Sequence, residues 1–115
     1  MFDLRARIGL MVPSLNTALE CEANLIKPQG VSFHAARMKI TATTECGLAD
    51  MANYAETAAK DLADIDPNCI VYGCTSGSFF KGSAWEKNLV KRLEDVTNTK
   101  IITTAGAVVQ AMNAF

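Results

Sequence analysis

The chain has 115 residues, half of them apolar and a fifth charged, with a formal net charge of −1. That length supports one hydrophobic core and not two, so a single domain over residues 1–115 is expected. The near-neutral balance gives no electrostatic footprint for nucleic acid or an anionic membrane, and no apolar run approaches the ~20 residues that span a bilayer.

In chain order, the start Met1-Phe2-Asp3-Leu4-Arg5-Ala6-Arg7 carries charge where a signal peptide needs an apolar stretch. A cytoplasmic setting is expected. Arg7 to Val12 is a short apolar run closed by Pro13, which reads as a buried strand. Thr17-Ala18-Leu19-Glu20 has the form of a capping box and predicts a helix start, with Pro28-Gln29-Gly30 as its stop. Val31 to Ile40 reads as a second strand, since Val31, Phe33 and Ala35 alternate with Ser32 and His34.

Glu45 to Ile65 carries the clearest helical spacing, with Leu48, Met51, Ala52, Ala55, Ala58, Ala59 and Leu62 on one face. Asp66-Pro67-Asn68 stops it. Cys69 to Tyr72 is a third, buried strand. Ser83-Ala84-Trp85-Glu86 forms a second capping box, followed by an apolar face of Trp85, Leu89, Val90, Leu93 and Val96. Lys87, Lys91 and Arg92, the densest basic group, read as the solvated side of that helix. Ile101 to Thr103 is a fourth strand, and Val108, Val109, Met112 and Phe115 suit one face of a last helix. That helix is expected to reach Phe115 without a Gly or Pro stop signal, so the chain reads as a finished domain or as half of something longer.

The expected order is β-α-β-α-β-α-β-α. It implies an α/β fold: a parallel sheet of about four strands joined by right-handed crossovers, with helices on both faces.

Ligands of such sheets bind at the carboxyl ends of the strands. Two of these ends are unusual. Pro13-Ser14-Leu15-Asn16-Thr17 follows the first strand, and Gly73-Cys74-Thr75-Ser76-Gly77-Ser78 follows the third. The second loop joins two glycines, three hydroxyls and backbone N–H groups beside a helix start, a nest suited to a carboxylate or a phosphate. It lacks the lysine of a phosphate-binding P-loop. Cys74 adds a nucleophile or base, because a thiol near a helix N-terminus and hydrogen-bond donors gains thiolate character. The bland alternative is a small core residue at a strand end.

The other cysteines rank lower. Cys69 opens its strand at the far end of the sheet, and Cys21 lies within the first helix. Cys46, near the start of the second helix, is the one rival. No CxxC pair is present and His34 is remote in sequence, which argues against zinc. No metal and no cofactor is expected, and free thiols are favoured over disulfides. Packing or surface hydrogen bonding accounts for His34, turn formation for Asp64 and Asp66, and capping or solvation for Glu20 and Glu22.

The two loops resemble those of the aspartate/glutamate racemase superfamily, which includes maleate cis-trans isomerases and arylmalonate decarboxylases. Val12 to Glu20, with Pro13-Ser14-Leu15-Asn16-Thr17, is similar to the carboxylate-holding first loop of the maleate isomerase branch. Gly73 to Gly82 resembles the arylmalonate decarboxylase branch, where Thr and Ser form part of an oxyanion pocket. The likeness continues through Thr103-Thr104-Ala105, and ectoine-utilisation proteins mix such features.

The resemblance implies a flavodoxin-like half of a racemase-type fold, corresponding to the N-terminal half of a longer chain. It implies a cofactor-independent racemase or cis-trans isomerase of a small carboxylate or dicarboxylate. Cys74 would be catalytic, with Pro13, Ser14, Asn16, Thr75 and Ser76 binding substrate. Cysteine at position 74, where the decarboxylases usually carry glycine, favours isomerase chemistry over decarboxylation. The family's second cysteine and its oxyanion-binding tyrosine belong to the other half and have no counterpart here. The alternatives are a decarboxylase of a malonate-type acid, or a non-catalytic half-domain that binds a carboxylate or a partner chain. The expected partner is a small carboxylate, together with a second copy or a missing second half.

Overall fold

The computed structural model describes residues 5–115; the first part of the charged start, Met1 to Leu4, lies outside them. The elements are β1 (Ala6–Pro13), α1 (Ala18–Ile26), β2 (Val31–Met38), α2 (Glu45–Ala63), β3 (Cys69–Tyr72), α3 (Thr75–Phe79), α4 (Gly82–Thr97), β4 (Ile101–Thr103) and α5 (Thr104–Asn113). All strand pairs are parallel, in the order β2-β1-β3-β4. The α/β architecture expected from the alternating pattern is the observed one. No helix among the described residues is long and apolar enough to cross a membrane.

The sheet is covered unequally. On one face Met11, Met38, Ile70, Tyr72 and Ile101 pack beneath Leu48, Met51, Ala55, Ala59 and Leu62 of α2 and Leu89 and Leu93 of α4. The alanine-rich stripe of α2 lets that helix approach the strands closely, the dense packing that core stability requires. On the other face Leu10 and Val12 meet Ala23 of α1, with Ile8, Leu19, Phe33 and Val71 only partly covered. Leu25 and Ile26 at the end of α1, and Val108, Val109 and Met112 of α5, stay more than half exposed.

Three local expectations give way to tertiary contacts. Neither capping box forms. Asn16, not Thr17, satisfies the start of α1: its Oδ1 accepts from the N–H groups of Ala18 and Leu19, both at 2.9 Å. Glu20 pairs instead with Arg37 on β2. Glu86 accepts from the Thr103 hydroxyl on β4 at 2.6 Å, and α4 starts without a side-chain cap. In each case a partner distant in sequence outbids the local backbone N–H. The third difference is an added element. The segment after β3 does not run as a loop into one helix but closes into the short α3. Gly82, at φ +84°, then redirects the chain into α4. Strand β2 also ends two residues early, although Ile40 is still buried. Helix α2 ends at Ala63 rather than Ile65, where Asp66 takes φ +52° to make the turn.

Tyr72 carries a cost. Its ring is fully buried and its hydroxyl has no hydrogen-bond partner among the described residues. Burial pushes the phenol well above its ordinary range, Cys74 adds to the push, and Arg92 opposes it. Tyr72→Phe is therefore expected to leave stability unchanged or raise it by about 1 kcal/mol, because it deletes an unsatisfied polar group. The raised folded value also means that stability is complete below the unfolded phenol's pKa of about 10 and falls as pH climbs past it. The phenylalanine variant should lose that alkaline slope. Denaturant melts of both proteins at about pH 7 and about pH 11 measure it. A loss well beyond 1 kcal/mol at neutral pH would show that the hydroxyl is bonded after all.

Candidate active site

Strand β1 lies between β2 and β3, and the chain leaves β1 toward one side and β3 toward the other. The crevice above that divergence is where open α/β sheets hold ligands. Met11 is in register with Tyr72, and the Gly73 N–H donates to the Met11 carbonyl at 2.9 Å. The loops after β1 and β3 are thereby held side by side. Between them and α5 lies a groove of about 280 Å³, lined by Pro13, Asn16, Leu19, Cys74, Thr75, Ser76 and Thr104 among others.

Cys74 is half-buried and ends the extended backbone of β3. Its Sγ accepts from the Gly77 N–H at 3.3 Å, so the sulfur caps α3 as a serine oxygen would. The cap points the thiol along the first turn of α3, where Thr75 and Ser76 carry exposed hydroxyls. Ser78 anchors the turn from below. Fully buried, it donates to the Thr75 carbonyl at 2.9 Å and accepts from the Ala105 N–H at 3.2 Å. That pair of bonds ties α3 to the start of α5 and brings Thr104 to the groove.

Asn16 enters from the opposite wall. Because its Oδ1 is occupied by two backbone donors, the free end of the amide is the NH₂ group, a donor. Pro13 lines the same wall. Ser14 does not line the groove: its Oγ accepts from the Ile40 N–H at 3.1 Å and fastens the loop to the chain after β2. None of the described lining residues is a lysine or an arginine, so an anion here meets hydroxyls, an amide and backbone N–H groups. Glu22 is the one charged lining residue.

The remaining sequence candidates fall elsewhere. Cys46 is exposed at the start of α2 and Cys21 is exposed on α1; neither lines the groove. Cys69 sits at the far end of β3, where burial pushes its thiol up against an opposing pull from Lys100. His34 pairs with the Ser32 hydroxyl at 2.8 Å. Thr104 enters the sequence analysis only within the stretch of family likeness and is given no role there, although the rule that singles out the ends of β1 and β3 applies equally to the end of β4. Ser78 was read as one more loop hydroxyl; only the packing of α3 on α5 reveals it as an anchor.

Fold and site together define a class: a doubly wound α/β domain whose switch-point groove offers one thiol amid neutral hydrogen-bond donors. The chain belongs to the arylmalonate decarboxylase family, whose model matches residues 8–115. It is 30% identical to the maleate isomerase of Pseudomonas putida, over 93% of this chain and 48% of the relative. It superposes with a TM-score of 0.81 at 26% identity on a Nocardia farcinica maleate cis-trans isomerase variant that holds a covalently bound succinylcysteine intermediate, covering 95% of this chain and 48% of that one. A liganded variant of arylmalonate decarboxylase shares the fold with a TM-score of 0.86 at 22% identity, over 95% of this chain and 46% of that one. The chain thus spans about half the length of the curated relatives it matches.

Proposed function

We propose that this chain is one half of a cofactor-independent isomerase acting on a small unsaturated dicarboxylate of the maleate type, the half that supplies Cys74 as nucleophile. The observation that carries the reading is the convergence of Asn16 and the Cys74-Thr75-Ser76 turn on one groove. In this reading the Cys74 thiolate adds to one alkene carbon. A C–S bond forms as the π pair shifts toward the neighbouring carboxylate, leaving an enediolate and a single C–C bond free to rotate. The pair then returns, the C–S bond breaks, and the trans alkene leaves; no proton or electron is consumed overall. Thr75 and Ser76 stabilise the enediolate charge, an interaction of the kind worth ~2.7–4 kcal/mol in other oxyanion sites. The Asn16 amide holds a carboxylate against the Pro13 wall, and Ser14 supports that wall through its bond to Ile40.

The exposed apolar side chains of α1 and α5 are surface that a second half, or a second copy of this chain, would cover. A decarboxylase of malonate-type acids is the second reading, favoured by the family match over residues 8–115. Cys74 itself supports isomerisation, since addition to an alkene needs a nucleophile at that position. Incubation with maleate followed by peptide mass mapping tests the proposal. One maleate is expected on the peptide containing Cys74. An adduct confined to Cys21 or Cys46, with Cys74 free, would overturn it.

A further inference from the structure

We propose that Arg37, on the edge strand β2, is a positioning residue that shapes the first loop for a carboxylate; this rests on reading the groove as a carboxylate site. Arg37 sits opposite Val12 in the β1–β2 register, while its neighbours Ala36 and Met38 pack into the core. Its side chain therefore leaves the sheet on the side of the loop that follows β1. There Nη1 donates to the carbonyl oxygens of Asn16 at 2.8 Å, Pro13 at 3.4 Å and Ser14 at 3.5 Å. Nη2 donates to Glu20 Oε1 at 2.6 Å. One guanidinium thus gathers three loop carbonyls and the first-turn carboxylate of α1. A planar fork with five donors can do this, and a lysine ammonium cannot match its geometry.

The consequence concerns the groove. A carbonyl oxygen facing a carboxylate repels it, and these three are drawn to the Arg37 side. Since a trans peptide sets N–H opposite C=O, the Thr17 N–H points away from Arg37. Fixing the Asn16 backbone also fixes the base of the side chain whose NH₂ is the wall's donor. With no lysine or arginine among the described lining residues, and with Glu22 opposing an anion, selectivity for a carboxylate depends on the placement of neutral donors. Arg37 sets that placement without touching the ligand, and Glu20 balances its charge.

Competing thiol reagents of matched size test this on the chain itself. Iodoacetate carries a carboxylate and iodoacetamide does not, so their rate ratio at Cys74 reads the groove's preference for a carboxylate. Cys46, exposed at the start of α2, serves as the internal reference. General loosening of the fold would change both rates together and leave the ratio alone. In the unaltered chain the ratio should be higher at Cys74 than at Cys46. Arg37→Met and Asn16→Ala should each lower it at least about fivefold, the equivalent of one hydrogen bond of ~1 kcal/mol, and Arg37→Lys should stay low. A Cys74 ratio no higher than that of Cys46 would remove the carboxylate reading of the groove, and this inference with it. A high ratio unmoved by Arg37→Met would overturn the Arg37 role alone. Full recovery in Arg37→Lys would also overturn it, by showing that charge suffices. Thermal melts establish that the variants fold, and the lysine variant keeps the test open if the methionine variant does not.

Discussion

Cys74→Ser is expected to abolish the proposed isomerisation while leaving the fold intact. The sulfur has two roles that this change separates. As an acceptor from the Gly77 N–H it caps α3, and a serine oxygen caps a helix at least as well. As a nucleophile it cannot be replaced, because a hydroxyl without an adjacent base is a weak attacking group. On the proposed reading, maleate turnover measured with this half joined to a complementary half should fall on the order of 10³-fold or more. The melting curve should barely move. Cys74→Ala should lose the same activity and, in addition, about 1 kcal/mol of stability, since it removes the cap. A serine variant with normal turnover would show that Cys74 is a structural residue and that the thiol chemistry proposed here is wrong. Steady-state kinetics and denaturant melts on the three proteins decide it.

Gly73→Ala is expected to be the most damaging single change to the site's architecture. A Cβ at this position would lie 2.7 Å from the Met11 carbonyl oxygen and closer still to the Leu19 side chain. Leu19 can rotate; the carbonyl cannot. It belongs to the buried strand β1 and already accepts the Gly73 N–H, so relief requires the ends of β1 and β3 to part. Those ends carry the two loops that make the groove. A loss of roughly 2–4 kcal/mol is expected, at the upper end of overpacking costs, along with loss of the proposed maleate addition at Cys74. Gly82→Ala is the informative control. Its Cβ would meet nothing within 4 Å, and only the positive φ opposes it, so about 1 kcal/mol is expected. Equal effects at the two positions would mean that glycine's flexibility, and not the close approach of β1 to β3, is what position 73 needs.

Much of this was legible in the residues because it depends on short-range periodicity. The apolar runs at Arg7–Val12 and Cys69–Tyr72 are short enough that burial favours strands over helices, and the three- and four-residue spacing from Leu48 to Leu62 puts one apolar face toward a sheet as a helix. Alternation of the two then left a parallel sheet as the economical solution, and the strand-end rule selected the two loops that the structure brings into one groove. Local hydrogen-bond chemistry was less legible. Thr17 and Glu20, or Ser83 and Glu86, have the right spacing to cap a helix, but a carboxylate takes its strongest available donor. Arg37 and the Thr103 hydroxyl, distant in sequence, provide it. The true caps at Thr44 and Thr103 went unnoticed for the complementary reason: a threonine oxygen bonded to an N–H three residues on leaves no mark on the hydrophobic pattern.

What the sequence by itself determined, then, was whatever follows from the period of apolar residues and from the placement of Gly, Pro and Cys: the α/β class, the strand segments and the candidate thiol at position 74. The tertiary structure alone decided which strands are neighbours, and with them the β2-β1-β3-β4 order that sets Asn16 beside Cys74. It alone turned Ser14 away from the groove, brought Thr104 in, and laid Arg37 across the carbonyls of a loop some twenty residues earlier. The physical reason is range. Periodicity is a property of one segment facing an apolar environment. A polar side chain finds its partner through the register and packing of several segments at once, and that information is absent from any one of them.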